Sequence, residues 1–196
     1  MNERVFHHSQ AAKLEDPERL VWMPPGEILA PLHLQPGMTV ADIGAGTGYF
    51  ALPMAAAVAP EGVVLAVDLQ PEMLARIEAK LAVADAPRNL RLSPGTASAT
   101  GLPEHVCDVA FLGNLWHELE DAPAVLAEMK RILRPGGTLA ILDWHPEEAA
   151  PPGPPQKHRI APEQVCATLE DAGWRLQLAE RAGVYSYLVL ATPNLP

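Results

Sequence analysis

The sequence predicts an α/β protein with a doubly wound, mostly parallel sheet of seven strands, a reversed terminal strand and helices on both faces. Three observations support this prediction. Short apolar runs alternate with amphipathic helical segments, as in strand–helix–strand units. A glycine-rich turn, residues 44–48, joins the first run to the first helix that follows it. The last two runs are separated by a short link that contains glycine, so we expect an antiparallel pair at the end of the chain.

The individual elements follow from apolar periodicity and from turn residues. Asp121 is a plausible N-cap of the helix before the fifth strand, and Pro135-Gly136-Gly137 is expected to end that helix and turn the chain. The strands are expected at residues 39–43, 62–68, 89–92, 108–113, 138–143, 175–180 and 185–191. The helices are expected at residues 26–34, 49–59, 71–84, 122–133 and 162–172.

Composition narrows the classes of function. The net charge of −10 argues against a nucleic-acid-binding surface, which normally carries a basic patch. Cys107 and Cys166 are far apart and lack metal-type spacing, which is typical of a reduced, intracellular protein. No secretory leader is recognisable, and no segment approaches about 20 consecutive apolar residues. We therefore expect a soluble, cytoplasmic protein that does not act at a membrane.

The glycine turn indicates a ligand that approaches the backbone closely. Gly44, Gly46 and Gly48 lie between a strand and a helix, where backbone N–H groups point at a bound molecule. Asp68 ends the second strand, and a carboxylate at this spacing accepts hydrogen bonds from the two hydroxyls of a ribose. These features fit a dinucleotide and an adenosyl sulfonium alike. The spacing G-x-G-x-G, rather than G-x-G-x-x-G, and the nearby carboxylate of Asp42 favour the ligand without a pyrophosphate.

Four motifs in order carry a resemblance to a known family. They are VADIGAGTGYF (40–50), VLAVDLQPEML (64–74), CDVAFLGNLWHELED (107–121) and MKRILRPGGTLAILDW (129–144). Together they resemble class I S-adenosylmethionine-dependent methyltransferases of the small-molecule type, with a Rossmann-like fold. The likeness is strong over about residues 35–145. It implies S-adenosylmethionine as cofactor and methyl transfer as the reaction.

The resemblance also implies which residues contact the cofactor. The family often has Gly-Asp-Ala before its fourth strand, and this chain has Gly95-Thr96-Ala97 instead, so Thr96 or the Ala97 backbone takes the place of an adenine-binding aspartate. The implied contacts run from the methionine part (Asp42, Gly44, Ala45, Gly46, Gly48) through the ribose (Asp68) and adenine (Leu69, Met73, Thr96, Ala97) to the sulfonium (Asn114, Leu115).

Methyl transfer is an in-line displacement, so the protein mainly has to hold the nucleophile and the methyl group in line. A base is needed only when the nucleophile carries a proton that must leave. His117, Asp143 and His158 are the candidates for proton removal or substrate contact, because the two histidines fall in loops at the ligand end of the sheet and Asp143 ends the fifth strand there. The alternative for His117 is a cap on the following helix.

Further candidates lie in the same loops. Trp116, His145 and Arg159 are predicted to contact the substrate, Arg159 through an anionic group. Alternatively, His145 and His158 hold their loop together. Another alternative is a metal site made by His117, His145 and either Asp143 or His158, since neutral imidazole is a common ligand, but no dedicated metal spacing occurs, so no metal is predicted.

The domain organisation favours a small acceptor. We divide the single domain into an N-terminal helical lid (1–34), a cofactor-binding core (35–145), a proline-rich substrate loop (146–160) and a C-terminal helix and strand pair (161–196). We expect a small-molecule methyl acceptor, no nucleic-acid partner, and a monomer or homodimer. The two distant cysteines exclude an arsenite methyltransferase. The remaining alternatives are a non-catalytic S-adenosylmethionine-binding module and an NAD-dependent oxidoreductase.

Overall fold

The predicted sheet is confirmed. The computed structural model describes residues 6–147 and 152–194, and it contains one seven-stranded sheet in the order β3-β2-β1-β4-β5-β7-β6. The first five strands are parallel, whereas β7 runs antiparallel to both of its neighbours. The strands are β1 (Thr39–Ile43), β2 (Val63–Asp68), β3 (Leu90–Pro94), β4 (Cys107–Gly113), β5 (Leu133–Trp144), β6 (Trp174–Ala182) and β7 (Ser186–Pro193).

Helices cover both faces of the sheet. Successive strand side chains point to opposite faces, so Val40 packs in the core that contains Met54 and Ile77, while Ala41 packs in the core that contains Met129 and Leu169. The helices of the first face are α2, α3 and α4, and those of the second are α5 and α6. The helix bounds are α1 (Arg19–Trp22), α2 (Pro25–Leu29), α3 (Ala51–Val58), α4 (Pro71–Leu81), α5 (Ala122–Ile132) and α6 (Pro162–Asp171).

The predicted turn between α5 and β5 is wrong in one respect. The chain enters the sheet at Leu133, which pairs with Cys107, and the next paired residue of β5 is Thr138, opposite Val109. Residues 134–137 therefore form an irregularity within β5 rather than a separate turn. The Arg134 Nη1 atom donates to both oxygens of Asp108 at 2.8 and 2.9 Å and closes this irregularity.

The N-terminal segment crosses the carboxyl ends of the strands. It consists of a 3₁₀ helix (His8–Glu15), α1, α2 and a second 3₁₀ helix (Ala30–Leu32), so the short helix expected at residues 26–34 is divided between α2 and this 3₁₀ helix. Glu15 forms ion pairs with Arg76 and Lys80 of α4 at 3.1 and 2.9 Å. Across residues 6–147 and 152–194, no helix is both long and apolar enough to cross a membrane.

Candidate active site

A cavity of about 1170 Å³ lies at the carboxyl ends of β1, β2 and β4. This is the edge at which open parallel sheets bind ligands. The N-terminal segment and residues 152–155 of the proline-rich loop form part of its wall. Residues 148–151 of that predicted substrate loop lie outside the described residues.

The glycine turn forms the floor of the cavity. The backbone N–H groups of Gly44 and Ala45 both donate to the Val67 carbonyl, at 2.8 and 3.0 Å, which ties the turn to β2. Gly44 has a φ of 72°, and a Cβ atom there would lie 2.9 Å from Leu115 Cδ2. A side chain at position 44 would therefore be strained by the backbone conformation, and the Leu115 side chain would have to shift to make room for it.

Asp68 connects the turn to the end of β2. Its Oδ2 atom accepts a hydrogen bond from Gly46 N–H and its Oδ1 atom from Gln70 N–H, both at 2.8 Å. Burial raises the pKa of the Asp68 carboxyl, whereas the bonds from Gln70 and Gly46 lower it, and the net direction is upward. Each carboxylate oxygen has a second acceptor site, and Asp68 lines the cavity. This geometry fits a pair of ribose hydroxyls.

Asp42 is a buried acid at the opposite side of the turn. It is 2% exposed and lines the cavity. Its Oδ2 atom has no hydrogen-bond partner among residues 6–147 and 152–194. Burial and the charge of Asp68 raise the pKa of Asp42 to about 8. A buried carboxylate oxygen without a partner is costly, so this position fits the ammonium group of a bound amino acid.

The predicted adenine contacts occupy one wall. Leu69, at the end of β2, is 59% exposed, and Met73 of α4 is buried. Thr96 and Ala97 line the same cavity, and Thr96 forms an isolated bridge with Ala99. The Thr96 hydroxyl lies 3.4 Å from the Ser98 hydroxyl. The wall thus combines apolar side chains with two hydroxyl groups, where the family often supplies a carboxylate.

The end of β4 adds the predicted sulfonium contacts. Asn114 has a left-handed backbone with a φ of 56°, and its Nδ2 atom donates to the Met23 sulfur at 3.3 Å. In the described part of the chain the Asn114 Oδ1 atom has no hydrogen-bond partner. Asn114 and Leu115 both line the cavity. Eleven of the twelve predicted cofactor-binding residues therefore line one cavity. Gly48 does not line it, and a Cβ atom added there would lie 3.2 Å from the Ile77 side chain.

His117 lines the cavity and forms a buried pair with Asp143, which lies near the end of β5 and does not line the cavity. Asp143 Oδ2 accepts from the His117 backbone N–H, and Asp143 Oδ1 lies 2.8 Å from His117 Nδ1. Burial lowers the pKa of His117, but the hydrogen bond and charge of Asp143 and the charge of Glu118 outweigh it, so the net pKa is raised. His117 does not cap α5, because the Asp121 carboxylate accepts from Ala124 N–H and caps that helix.

Glu118 is a second acid in this wall. Its Oε1 atom accepts from Phe6 N–H at 3.2 Å and lies 3.8 Å from His117 Nε2. Burial raises the pKa of Glu118 to about 7, despite the opposing effects of His117 and Phe6. The predicted site residue His158 also lines the cavity, on the opposite, loop-facing wall.

Three predicted substrate residues do not line the cavity. Trp116 is 3% exposed and packs in the core beside α5, because the 3₁₀ turn at Trp116–Glu118 directs it inward. The His145 ring packs edge-on to Tyr187. The Arg159 guanidinium donates to the carbonyls of Pro154 and His145 and so braces the proline-rich loop. Direct substrate contact by these three side chains is not supported by their positions.

Sequence reasoning missed several cavity residues. Arg19, Trp22 and Tyr185 belong to no motif, and Trp144 ends the fourth motif without being predicted as a site residue. Arg19 is the most unusual because it is a buried cation, and Trp22, Trp144 and Tyr185 form an aromatic wall. The Trp22 ring centroid lies 5.5 Å from that of Trp144 and 6.1 Å from that of Tyr185.

The metal alternative has no ligand set in the described ranges. No group of three or more His, Cys, Asp or Glu side chains within residues 6–147 and 152–194 is arranged to hold a metal ion. The ring of His145, the second imidazole of this alternative, packs edge-on to Tyr187, with ring centroids 6.3 Å apart.

Comparison with known proteins identifies the family. Residues 41–141 match the methyltransferase domain model. Demethylmenaquinone methyltransferases of Symbiobacterium thermophilum and Listeria monocytogenes are 32% and 33% identical over 117 residues, which cover 60% of this chain and 47% and 49% of those proteins. The chain thus spans about half the length of these relatives.

A solved structure is similar along nearly the whole chain. The crystal structure of a SAM dependent methyltransferase from Aquifex aeolicus is 33% identical, with a TM-score of 0.89, and the match covers 95% of this chain and 98% of that one. The match therefore extends beyond the central motifs to the N-terminal segment and the closing strands. The chain belongs to the methyltransferase domain family, and its resemblance to class I S-adenosylmethionine-dependent methyltransferases is confirmed.

Proposed function

We propose that this protein transfers the methyl group of S-adenosylmethionine to a small-molecule acceptor. The observation that carries the proposal is that the glycine turn lines the same cavity as His117, whose ring is held from behind by Asp143. A cofactor site and a candidate base are thereby adjacent, which methyl transfer to a protonated nucleophile requires. The net charge of −10 supports a small acceptor over a nucleic acid.

The cofactor, when bound, supplies a methyl group on a positively charged sulfur. In the proposal, Asp68 accepts the ribose hydroxyls, Asp42 accepts the ammonium group, and the backbone of the glycine turn lies along the methionine part. Leu69 and Met73 flank the adenine, with Thr96 and Ala97 at its edge. Asn114 and Leu115 lie beside the sulfur.

His117 acts as the base in this proposal. With its Nδ1–H donated to Asp143, the neutral ring keeps a lone pair on Nε2, which accepts the proton of the acceptor's nucleophile. Asp143 orients the ring and stabilises the imidazolium that forms. His158, across the cavity, is proposed to contact the acceptor. Glu118 holds the N-terminal segment in place through Phe6.

The aromatic wall favours a flat, largely apolar acceptor with an ionisable proton. Trp22, Trp144 and Tyr185 offer ring faces and edges, which pack well against a planar molecule. Relatives are named for demethylmenaquinone, so that compound is the first acceptor to test. We further propose that the N-terminal lid and the proline-rich loop close over the acceptor, and that the protein acts as a monomer or homodimer.

A calorimetric titration with S-adenosylhomocysteine tests the cofactor assignment, with NAD⁺ as the control ligand. We expect one-to-one binding of S-adenosylhomocysteine alone. Asp68→Ala should weaken that binding about 100-fold or more, because charge-assisted bonds to two hydroxyls are lost. The matched control Asp85→Ala changes an exposed acid after α4 and should leave binding unchanged. Preferential binding of NAD⁺ would support the oxidoreductase alternative instead.

Turnover tests the reaction. Release of S-adenosylhomocysteine from S-adenosylmethionine is measured with demethylmenaquinone and a panel of hydroxylated aromatic acceptors. His117→Asn should lower the rate about 10²-fold or more, whereas His33→Asn, an exposed control, should not. Tight cofactor binding without turnover of any acceptor would favour the non-catalytic binding module.

A further inference from the structure

Arg19 is a buried cation in the wall of the cofactor cavity. It begins α1, is 5% exposed and lines the cavity. Arginine is almost never this buried without an anionic partner. Burial lowers the pKa of its guanidinium to about 10, so the group remains charged at neutral pH. A buried positive charge at a ligand site that no protein group neutralises is stabilised when the ligand supplies an anion.

The groups that the Arg19 guanidinium contacts are neutral. Its Nη1 atom donates to the Leu14 carbonyl at 2.6 Å and its Nη2 atom lies 3.7 Å from the Met23 sulfur. Its Cζ atom stacks 3.9 Å from the centre of the Tyr49 ring. The Nε atom has no hydrogen-bond partner anywhere in the described ranges, 6–147 and 152–194. The guanidinium is thus fixed in place, while its Nε–H donor makes no hydrogen bond within the described ranges.

Arg19 flanks the glycine turn rather than the adenine wall. Tyr49, on which it stacks, directly follows Gly48. Leu14, whose carbonyl it contacts, lies 3.3 Å from where a Cβ atom of Gly46 would be. Met23 links Arg19 to Asn114 at the end of β4, because its sulfur contacts both side chains. The cation therefore lies at the end of the cavity that holds the methionine part.

Asp42 and Arg19 together complement a zwitterion. Asp42 is a buried acid with a free oxygen, Arg19 is a buried cation with a free nitrogen, and the two form no ion pair with each other. Both line the same cavity. An amino-acid group carries one ammonium and one carboxylate on the same carbon, so it satisfies both residues at once.

We propose that Arg19 binds the α-carboxylate at the amino-acid end of the cofactor, opposite Asp42, which takes the ammonium. This inference rests on the proposed function. Because Arg19 belongs to the N-terminal segment, its ion pair with the cofactor carboxylate also holds that segment against the bound cofactor. A nucleoside lacks the carboxylate and cannot form this ion pair.

An anionic group of the acceptor shares the same chemistry, so the test must separate the two sources. S-adenosyl-3-thiopropylamine differs from S-adenosylhomocysteine only by the missing carboxylate. Calorimetry with both ligands in the absence of any acceptor therefore isolates the contribution of the carboxylate. The ratio of their two dissociation constants is the quantity to compare between variants.

In the wild-type protein we expect S-adenosylhomocysteine to bind about 10- to 100-fold more tightly than the thiopropylamine, as for a charge-assisted bond in a buried site. In Arg19→Met that ratio should fall to about threefold or less, because only S-adenosylhomocysteine loses affinity. Arg19→Lys keeps the charge and should retain part of the ratio. The control Arg175→Met alters an exposed arginine of β6 and should keep the wild-type ratio.

An unchanged ratio in Arg19→Met overturns the inference and leaves the proposed function standing. Weaker acceptor binding with normal S-adenosylhomocysteine affinity also overturns it and assigns Arg19 to the acceptor. Absence of S-adenosylhomocysteine binding to the wild-type protein overturns both. Retained affinity for the thiopropylamine shows that Arg19→Met is folded; should that variant fail to fold, Arg19→Gln, which keeps the bulk and a donor, replaces it in the same ratio measurement.

Discussion

Asp143 holds His117 by two hydrogen bonds, one to its backbone N–H and one to its ring Nδ1. The backbone bond fixes where the residue sits, and the ring bond fixes which way the imidazole faces. A neutral ring bound in this way donates from Nδ1 and leaves Nε2 as the acceptor. Asp143 also accepts from Trp144 N–H at 2.7 Å, so the carboxylate is itself anchored at the end of β5.

The Asp143 carboxylate should therefore control the titration of His117. We expect the pKa of His117 to lie above its ordinary value of 6.5 in the wild-type protein. Asp143→Asn removes the charge that raises this pKa while burial remains, so the pKa should fall below 6.5. Nitrogen-15 NMR titration of the histidine rings measures both the pKa and the tautomer.

Glu118→Gln serves as the comparison for this experiment. Glu118 lies 3.8 Å from His117 Nε2, without the close Nδ1 contact that Asp143 makes, so its removal should lower the pKa of His117 less than Asp143→Asn does. Equal pKa values in the wild-type protein and in Asp143→Asn would contradict the orienting role of Asp143. They would also remove the main argument for His117 as the base.

The sheet was predictable because each parallel strand is a continuous apolar run. Such strands are buried on both faces, so the signal is local and strong. The positions of the glycine turn and Asp68 were predictable for a related reason: they depend on backbone conformation and on the end of one strand. The error at 134–137 arose because a Pro-Gly-Gly run also fits within an irregular strand.

The N-terminal half of the site was not predictable. Arg19 acts through Tyr49 and Met23, and Trp22 meets Trp144, a residue distant in sequence. Neither hydrophobic periodicity nor a sequence motif predicts such contacts between residues distant in sequence. Trp116 shows the opposite failure, because its sequence position beside His117 suggested the cavity, whereas a single 3₁₀ turn directs it into the core.

Gly44 should be the least replaceable residue of the turn. Gly44→Ala forces a side chain onto a φ of 72° and against Leu115 Cδ2. We expect the free energy of unfolding to fall by about 1–3 kcal/mol, measured by urea denaturation. Gly26→Ala is the control, since Gly26 has no atom within 4 Å of its added Cβ and no positive φ. Equal stability of the two variants would show that the turn is not constrained as described.

Asp42 should make the ligand-free protein less stable as the pH rises. Its carboxyl has a folded pKa of about 8 against an ordinary value of 3.8, so the folded state retains a proton that the unfolded state loses. Stability from this group is full below about pH 4 and is lost as the pH rises toward 8. Asp42→Asn removes this dependence, so its melting temperature should exceed that of the wild-type protein more at pH 8 than at pH 5.

Thermal melts of both proteins at the two pH values provide the measurement. An equal difference in melting temperature at pH 5 and pH 8 would mean that Asp42 is ionised throughout and finds a partner by another route. The same proton gives a second observable: an ammonium ligand lowers the pKa of Asp42, so S-adenosylhomocysteine should release a proton when it binds near pH 7. Calorimetry in buffers of different ionisation heat detects that release.

Gln70 should control how long the cofactor stays bound. Its side chain donates to the Phe6 carbonyl and accepts from His8 N–H, both at 2.8 Å, while its own N–H donates to Asp68. The residue thus joins the N-terminal segment to Asp68, the proposed ribose-binding residue. Gln70→Ala removes two hydrogen bonds, so S-adenosylhomocysteine should dissociate about 5- to 30-fold faster, measured by stopped-flow displacement.

Hydrogen exchange distinguishes a loosened segment from a damaged site. In Gln70→Ala we expect faster amide exchange in residues 8–15, with unchanged exchange in β1 and β2, because only the segment loses its anchor. Gln177→Ala, at an exposed position of β6, is the control and should alter neither property. Faster dissociation without faster exchange in residues 8–15 would mean that Gln70 acts on Asp68 directly, and the N-terminal segment would then not be a lid.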